Sequence, residues 1–436
     1  MLVFSFSWPN HLSKHTEQHP RISDIHQSWW QLSFIQLSGF VSLPVLAGSV
    51  LILQNSNLAS AILTLIVGNI LLWLIRLGIV AMSCEGRKST LDIAREYLGP
   101  FGALWIAILV LASAAEWFVV GTTMASNALC RLIHIDEGSV NQFIQIGVLI
   151  GIMSMLFCIN GMKVLRYTAT ICFPILVIAF IGGICSDGFS IPQSTHDGIS
   201  LSGLPIFLAT NLGVTADFPT FFRHSQSLRS SFIALTAIQV ISFCIGLGAL
   251  FFGSTILPWL GMSDISALPD ESLTTRSLLI ILIFLSVICA NICSIYSASV
   301  GWELVAPIFA GVKEYLILGL GMTIVFVLVA DIFSLNTLGA LFGCFLVNLS
   351  LVFVLAFLLR HYLHHDPKPY EQTTYQIAWL SASLLNTLQF FQVFAPQSPS
   401  LLAAFATIVL VIALSFSLHR LIYRYKQQRN HIAHDE

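Results

Sequence analysis

Apolar runs long enough to cross a bilayer follow one another along nearly the whole chain, and this repetition leaves little choice of architecture. A spanning helix needs roughly 20 apolar residues. About twelve runs qualify: 33–54, 58–83, 99–128, 142–160, 167–186, 200–221, 229–260, 278–308, 314–333, 335–362, 374–394 and 400–420. The connections are short, so no soluble domain of useful size remains. The chain is 56% hydrophobic and only 9% charged, whereas a soluble domain carries about 25% charged residues. The class that follows is an all-α polytopic membrane protein with about twelve transmembrane helices.

Two of these runs are interrupted. Run 200–221 contains Gly213-Val214-Thr215-Ala216-Asp217-Phe218, and the first run contains Gly39-Phe40-Val41-Ser42-Leu43-Pro44 followed by Gly48. A charged group near membrane depth is costly and marks a site or a pathway. A helix broken at glycine survives in a membrane only where its freed backbone lines a cavity. Gly39 and Gly213 are 174 residues apart, and so are Trp117 in the third run and Asn291 in the eighth. Equal spacing of unusual spots is the pattern of an inverted repeat with interrupted helices in corresponding places. The expected layout is a tail over 1–30, a first five-helix repeat over 31–186, a second over 200–362, two appended helices over 374–420 and a tail over 421–436. A cavity between broken helices implies a solute pathway.

The basic residues give an orientation. With the N-terminus inside, all but three of the 19 Lys and Arg residues fall on cytoplasmic connections and tails. The exceptions are Arg76, Arg131 and Arg276. This asymmetry obeys the positive-inside rule and predicts a multi-pass protein of the cell (inner) membrane with both termini cytoplasmic. The first thirty residues lack the basic start, apolar middle and cleavage site of a signal peptide. The nine cysteines form no CxxC pair, which disfavours disulfide and zinc readings. No phosphate loop, HExxH or GxSxG signature occurs, so no enzyme is expected. Nor is nucleic acid a partner, because the basic residues are topological.

Several stretches resemble the nucleobase–cation symporter family, and within it the cytosine permease branch. They are Gly68-Asn69 with Leu71-Leu72, then Thr90-Leu91 and Ala94-Arg95; Glu116-Trp117-Phe118-Val119-Val120-Gly121; Thr215-Ala216-Asp217-Phe218 with Phe222-Arg223; and Asn291-Ile292-Cys293-Ser294. The match covers roughly the first ten spans. It implies the leucine-transporter-type fold, a five-plus-five inverted repeat with helices one and six unwound. It also implies symport of a nucleobase such as cytosine, driven by a sodium or proton gradient.

The candidate site follows residue by residue. Trp117 offers a flat π face to a planar heterocycle, and stacking adds about 0.5–1.5 kcal/mol beyond area; the plainer alternative is a packing tryptophan. A second aromatic wall is expected from the sixth helix. Phe207 is the nearest candidate, while the ungapped register from Thr215 places Leu208 there. Asn291 brings amide donors and an acceptor to the edge of a base, or else makes a helix–helix hydrogen bond. Asn211 and Thr210 present polar atoms to the cavity or satisfy unwound backbone.

Glu116 stands where the resembling pattern has a small residue. It accepts a coupled proton, binds an amino group of the substrate, or pairs with Arg76, which also departs from the pattern. Asp217, near the cytoplasmic end of its span, is expected to cap a helix or pair with a basic residue. The resemblance implies sodium at carbonyls of the broken first helix, around Gly39 and Phe40, and at the eighth helix, around Asn291 and Ser294. Ile295 replaces a second hydroxyl there, and a rival register puts Cys289-Ala290 at that pair. Hard cations want several oxygen ligands, so sodium and proton both stay open. No other cofactor and no obligate protein partner are expected. Two further readings stay in view: a transporter of the same fold for an amino acid or amine, and a non-transporting membrane sensor.

Overall fold

The computed structural model describes residues 26–41, 57–133, 140–187, 198–259, 273–306, 311–329, 335–364, 366–390 and 400–432, with Leu46, Ser49, Ile52 and Phe309. The helices are α1 (Trp29–Phe40), α2 (Leu58–Cys84), α3 (Thr90–Leu132), α4 (Val140–Cys158), α5 (Met162–Asp187), α6 (Leu204–Thr215), α7 (Phe218–Phe222), α8 (Leu228–Trp259), α9 (Leu273–Val305), α10 (Val312–Val329), α11 (Leu335–Leu363), α12 (Pro369–Phe390) and α13 (Ser400–Ile432). Among the described residues the one departure from helix pairing is a parallel bridge between Gln27 and Ser225.

Among the described residues, eight helices, α2–α5 and α8–α11, are long and apolar enough to cross a membrane. Large apolar side chains such as Leu74, Ile108, Ile178 and Leu328 point outward, as a lipid solvent requires. The short members fall at the expected interruptions. α1 ends after 12 residues at Val41, whose ψ of 8° leaves the helix. Residues 42–45 lie outside the described set, and Leu46, Ser49 and Ile52 beyond them are helical and buried. Most of the expected N-terminal tail, residues 1–25, also lies outside it, whereas α13 carries the expected C-terminal tail onward as helix to Ile432.

The sixth span breaks later than the sequence reading has it. α6 runs straight through Asn211-Leu212-Gly213-Val214, and the break falls at Ala216 and Asp217 before α7 begins. Pro219 supplies the reason. It has no N–H to give the Thr215 carbonyl, and its ring would clash there. Asp217 takes the N-cap position with φ −97° and ψ 1°, and Pro219 sits in the first turn of α7.

α3 begins on a capping box. Ser89 accepts from the Asp92 N–H, and the Asp92 carboxylate accepts from the Ser89 N–H. Gly99, at φ 71° and followed by Pro100, then kinks the helix. The kink separates a short amphipathic entry (90–98) from the long apolar span. Only glycine adopts that φ without strain.

α9 is the central helix and packs on α3, α5, α4 and α1. It runs antiparallel to α3: Gly121 faces Val287, and Gly301 faces the backbone of Ala107. A Cβ on Gly301 would lie 2.6 Å from the Ala107 carbonyl oxygen, so the two helices touch backbone to backbone. Small residues at such crossings let membrane helices approach closely. Gly301→Val is expected to cost about 1–3 kcal/mol by overpacking and to lower the melting temperature in detergent. Gly321→Val, where nothing lies within 4 Å, is expected to leave that temperature unchanged.

Candidate functional site

A cavity opens where α1, α3, the α6–α7 break and α9 meet, with a volume of about 150 Å³. An engineered apolar cavity of about that size holds benzene, so this one suits a single ring. Each wall is one face of a helix. α3 contributes Val110, Ser113, Ala114, Trp117 and Gly121; α9 contributes Val287, Ala290, Cys293, Ser294 and Ser297. Both sets step by three or four residues, the spacing of one helical face. From Val110 to Gly121 the wall spans about 16 Å at 1.5 Å per residue. Because α3 and α9 are antiparallel, Trp117 and Gly121 share the end with Val287 and Ala290. Val110 and Ser113 share the other end with Ser297.

Of the residues expected from sequence, Trp117, Gly39 and Ser294 line this cavity. A Cβ on Gly39 or on Gly213 would meet nothing within 4 Å, so both related glycines border open space. Phe40 is the last residue of α1, and its side chain lies outside the described set. The other candidates face elsewhere. Phe207 packs against Gly68 of α2, where an added Cβ would sit 2.3 Å from its ring. Asn211 turns back along its own helix to the Phe207 carbonyl, at 2.9 Å, and Thr210 does the same at 3.0 Å. Asn291 is fully buried and donates to Thr122 Oγ1 across the α3–α9 crossing at 3.0 Å. Its Oδ1 is buried without a partner. Glu116 is half-buried on α3 beside the cavity wall, and its Oε2 is also without a partner.

The aromatic wall from the sixth span is present, but Phe218 and Phe221 form it. The displaced break is the reason, since it carries the chain into the cavity at residues 217–221. Phe218 stacks on Phe222 at 5.6 Å, and Phe221 packs against Tyr296 at 5.5 Å. Four polar residues that the sequence reading left out of the site also line the cavity: Ser113, Ser297, Gln36 and Asp217. Gln36 of α1 is 7% exposed and its Nε2 donor has no partner. Asp217 accepts from Thr220 Oγ1 at 2.6 Å and from Ser297 Oγ, and Thr90 Oγ1 lies 3.2 Å from its Oδ1. The expected basic partner is replaced by hydroxyls, because the break points this carboxylate at α9 and the start of α3. The triplet Asp217-Phe218-Pro219 did carry the signal, as Asp at N-cap followed by Pro in the first turn marks a helix start.

Arg76 and Glu116 are not joined by any hydrogen bond or ion pair among the described residues. Arg76 is fully buried and serves the broken helix instead. Its Nε donates to Thr215 Oγ1 at 2.9 Å, its Nη1 to Gln239 Oε1 at 2.8 Å, and its Nη2 reaches the Asn211 carbonyl at 3.4 Å. The guanidinium carbon also lies 4.7 Å from the centre of the Phe218 ring. A cation suits this place, since a helix C-terminus carries partial negative charge. Beyond the break, His224 Nε2 and Tyr296 Oη share a hydrogen bond of 2.8 Å. Burial, then the charges of Arg223 and Arg87, hold the imidazole down to about 3, so it stays neutral at physiological pH.

No protein-family model matches the chain, and no curated protein matches it by sequence. Solved structures do. Mhp1 in its inward-facing conformation aligns with a TM-score of 0.64 at 14% identity, over 92% of this chain and 94% of that one. Mhp1 in a closed conformation with bromovinylhydantoin bound, described as a nucleobase-cation-symport-1 family transporter, aligns at 0.63 and 15% identity, over 91% and 94%. A manganese transporter of Eremococcus coleocola aligns at 0.54 and 14% identity, over 94% and 99%. The fold is therefore an all-α polytopic membrane fold of the leucine-transporter type.

Arg76→Leu is expected to orphan Gln239 and the end of α6, at about 1–3 kcal/mol per buried group, and to lower the melting temperature sharply. Glu116→Gln is expected to leave it unchanged. Equal losses in the two variants would restore an Arg76–Glu116 pair.

Proposed function

We propose that this chain is a secondary active symporter that imports a nucleobase such as cytosine, or a related small planar nitrogen heterocycle. One observation carries the reading: the Trp117 indole walls a ring-sized cavity between two interrupted helices, with Phe218 and Phe221 entering from the broken sixth span. Apolar walls with a few aimed polar groups are the usual make-up of a small-molecule site. The free Gln36 amide donor supports recognition of a carbonyl or ring-nitrogen acceptor. Alternating access at a site between two repeats, driven by a sodium or proton gradient, is how folds of this kind work. The resemblance of Glu116–Gly121 and Thr215–Phe218 to the cytosine permease branch, and the hydantoin ring held by a structural neighbour, support the heterocycle. The basic-residue asymmetry supports a cell (inner) membrane location with both termini cytoplasmic.

A same-fold carrier of an amine or amino acid is the second reading. Asp217 on the cavity wall favours the amine, and the manganese transporter shows the fold is not tied to one cargo. The test is uptake of labelled cytosine and uracil by cells carrying the chain, in competition with amines and amino acids, with and without sodium. Saturable uptake of a base is expected. Trp117→Ala is expected to cut it about tenfold or more, since lost stacking and packing together exceed 1.4 kcal/mol, at unchanged surface expression. Uptake blocked by amines but not by bases would move the chain to the second reading. Binding with no accumulation would make it a sensor.

A further inference from the structure

We propose, resting on the symport reading above, that the coupling ion is a proton and that Asp217 carries it. Among the described residues Asp217 supplies the one carboxylate on the cavity wall. It sits at the break of the sixth span, between α6 and α7. Its polar partners are the hydroxyls of Ser297 on α9 and Thr220 on α7, with Thr90 of α3 close by. No ion pair is made to it among the described residues.

A hydroxyl both donates and accepts. Ser297 and Thr220 therefore donate to the carboxylate when it is ionised, and one of them turns to accept when it is protonated. A fixed cation in their place would hold the group permanently ionised. The shell thus satisfies both protonation states without moving a helix, and it joins α3, α7 and α9, three elements that wall the cavity. The charged and titratable neighbours are Arg223 at the end of α7, Cys293 and Tyr296 on α9, and Arg76 of α2 behind the Phe218 ring. α1 brings none, because Trp29–Phe40 contains no ionisable residue. Glu116, the other carboxylate considered, does not line the cavity.

The cycle balances simply. A proton from the outer solution adds to an Asp217 carboxylate oxygen as the substrate enters, and both leave to the cytoplasmic solution. No bond to the substrate is made or broken.

The experiment uses the full-length protein in liposomes with a trapped pH dye, and whichever labelled base the uptake assay identifies. Substrate entry is expected to acidify the lumen, with or without sodium. Asp217→Asn is expected to lose that acidification and any uphill accumulation driven by an imposed pH gradient, leaving only movement down the substrate's own gradient. Ser297→Ala is expected to shift the pH at which uptake is half-maximal, a change that a purely structural hydroxyl would not produce. Wild-type uptake without acidification would overturn the proposal while leaving the transporter reading intact, and it needs no variant to fold. Acidification persisting in Asp217→Asn but lost in Glu116→Gln would overturn it in favour of Glu116. Absence of uptake for every base would count against the symport reading itself.

Discussion

A helix that ends inside a membrane protein leaves carbonyls and N–H groups that lipid cannot meet, and the way this chain meets them at the sixth span shapes everything around it. Arg76 reaches the Asn211 carbonyl and the Thr215 hydroxyl from α2, and Ser350 of α11 donates to the Leu212 carbonyl at 2.8 Å. Thr215 also donates back to Asn211 O at 2.8 Å. With those groups held, Pro219 can stop one helix and start another. Asp217, Phe218 and Phe221 then swing into the cavity. An arginine in a membrane span would be ruinous without such partners. Here it supports the broken end that makes the cavity.

Much of this was legible in the residues, though unevenly. Long apolar runs fix the class, because few other structures bury so many of them; of the twelve expected spans, eight helices among the described residues are long and apolar enough to cross a membrane. Trp117, which lines the cavity, was legible through its resemblance to the third-span tryptophan motif, since on its residues alone a packing tryptophan explains it as well. The paired glycines were legible too, and both border the cavity. Less visible was the exact break. Gly213 looked like the weak point, yet a glycine inside a helix costs only about 1 kcal/mol against alanine, whereas a proline costs about 3 kcal/mol and leaves the carbonyl four residues back without its donor. Moving the break from Gly213 to Asp217 exchanged Phe207 for Phe218 and Phe221 as the aromatic wall. It also turned Asp217 from an exit residue into a lining one.

Orientation around a helix axis was the other blind spot. Asn291 and Ser294 are three residues apart on α9, but Asn291 looks toward Thr122 while Ser294 looks into the cavity. Asn in a span suits either role, and only the crossing with α3 decides between them. Gln36 gave no signal at all, being one amide in an ordinary helix near the chain's start. The Arg76–Glu116 pairing looked attractive because both residues are unusual, yet each answers a separate need. One supports the end of α6, and the other stands half-buried on α3.

These pieces combine into a narrow chamber with an indole at one end, phenyl rings from the broken helix, a free amide and a carboxylate held by hydroxyls. The most direct measurement is a density map of the purified protein saturated with the base it transports. Ring density stacked on Trp117, within reach of Gln36 and bounded by α1, α3, α7 and α9, is the expected result. A map showing the sixth span continuous through Asp217, or the ring bound away from that indole, would contradict it.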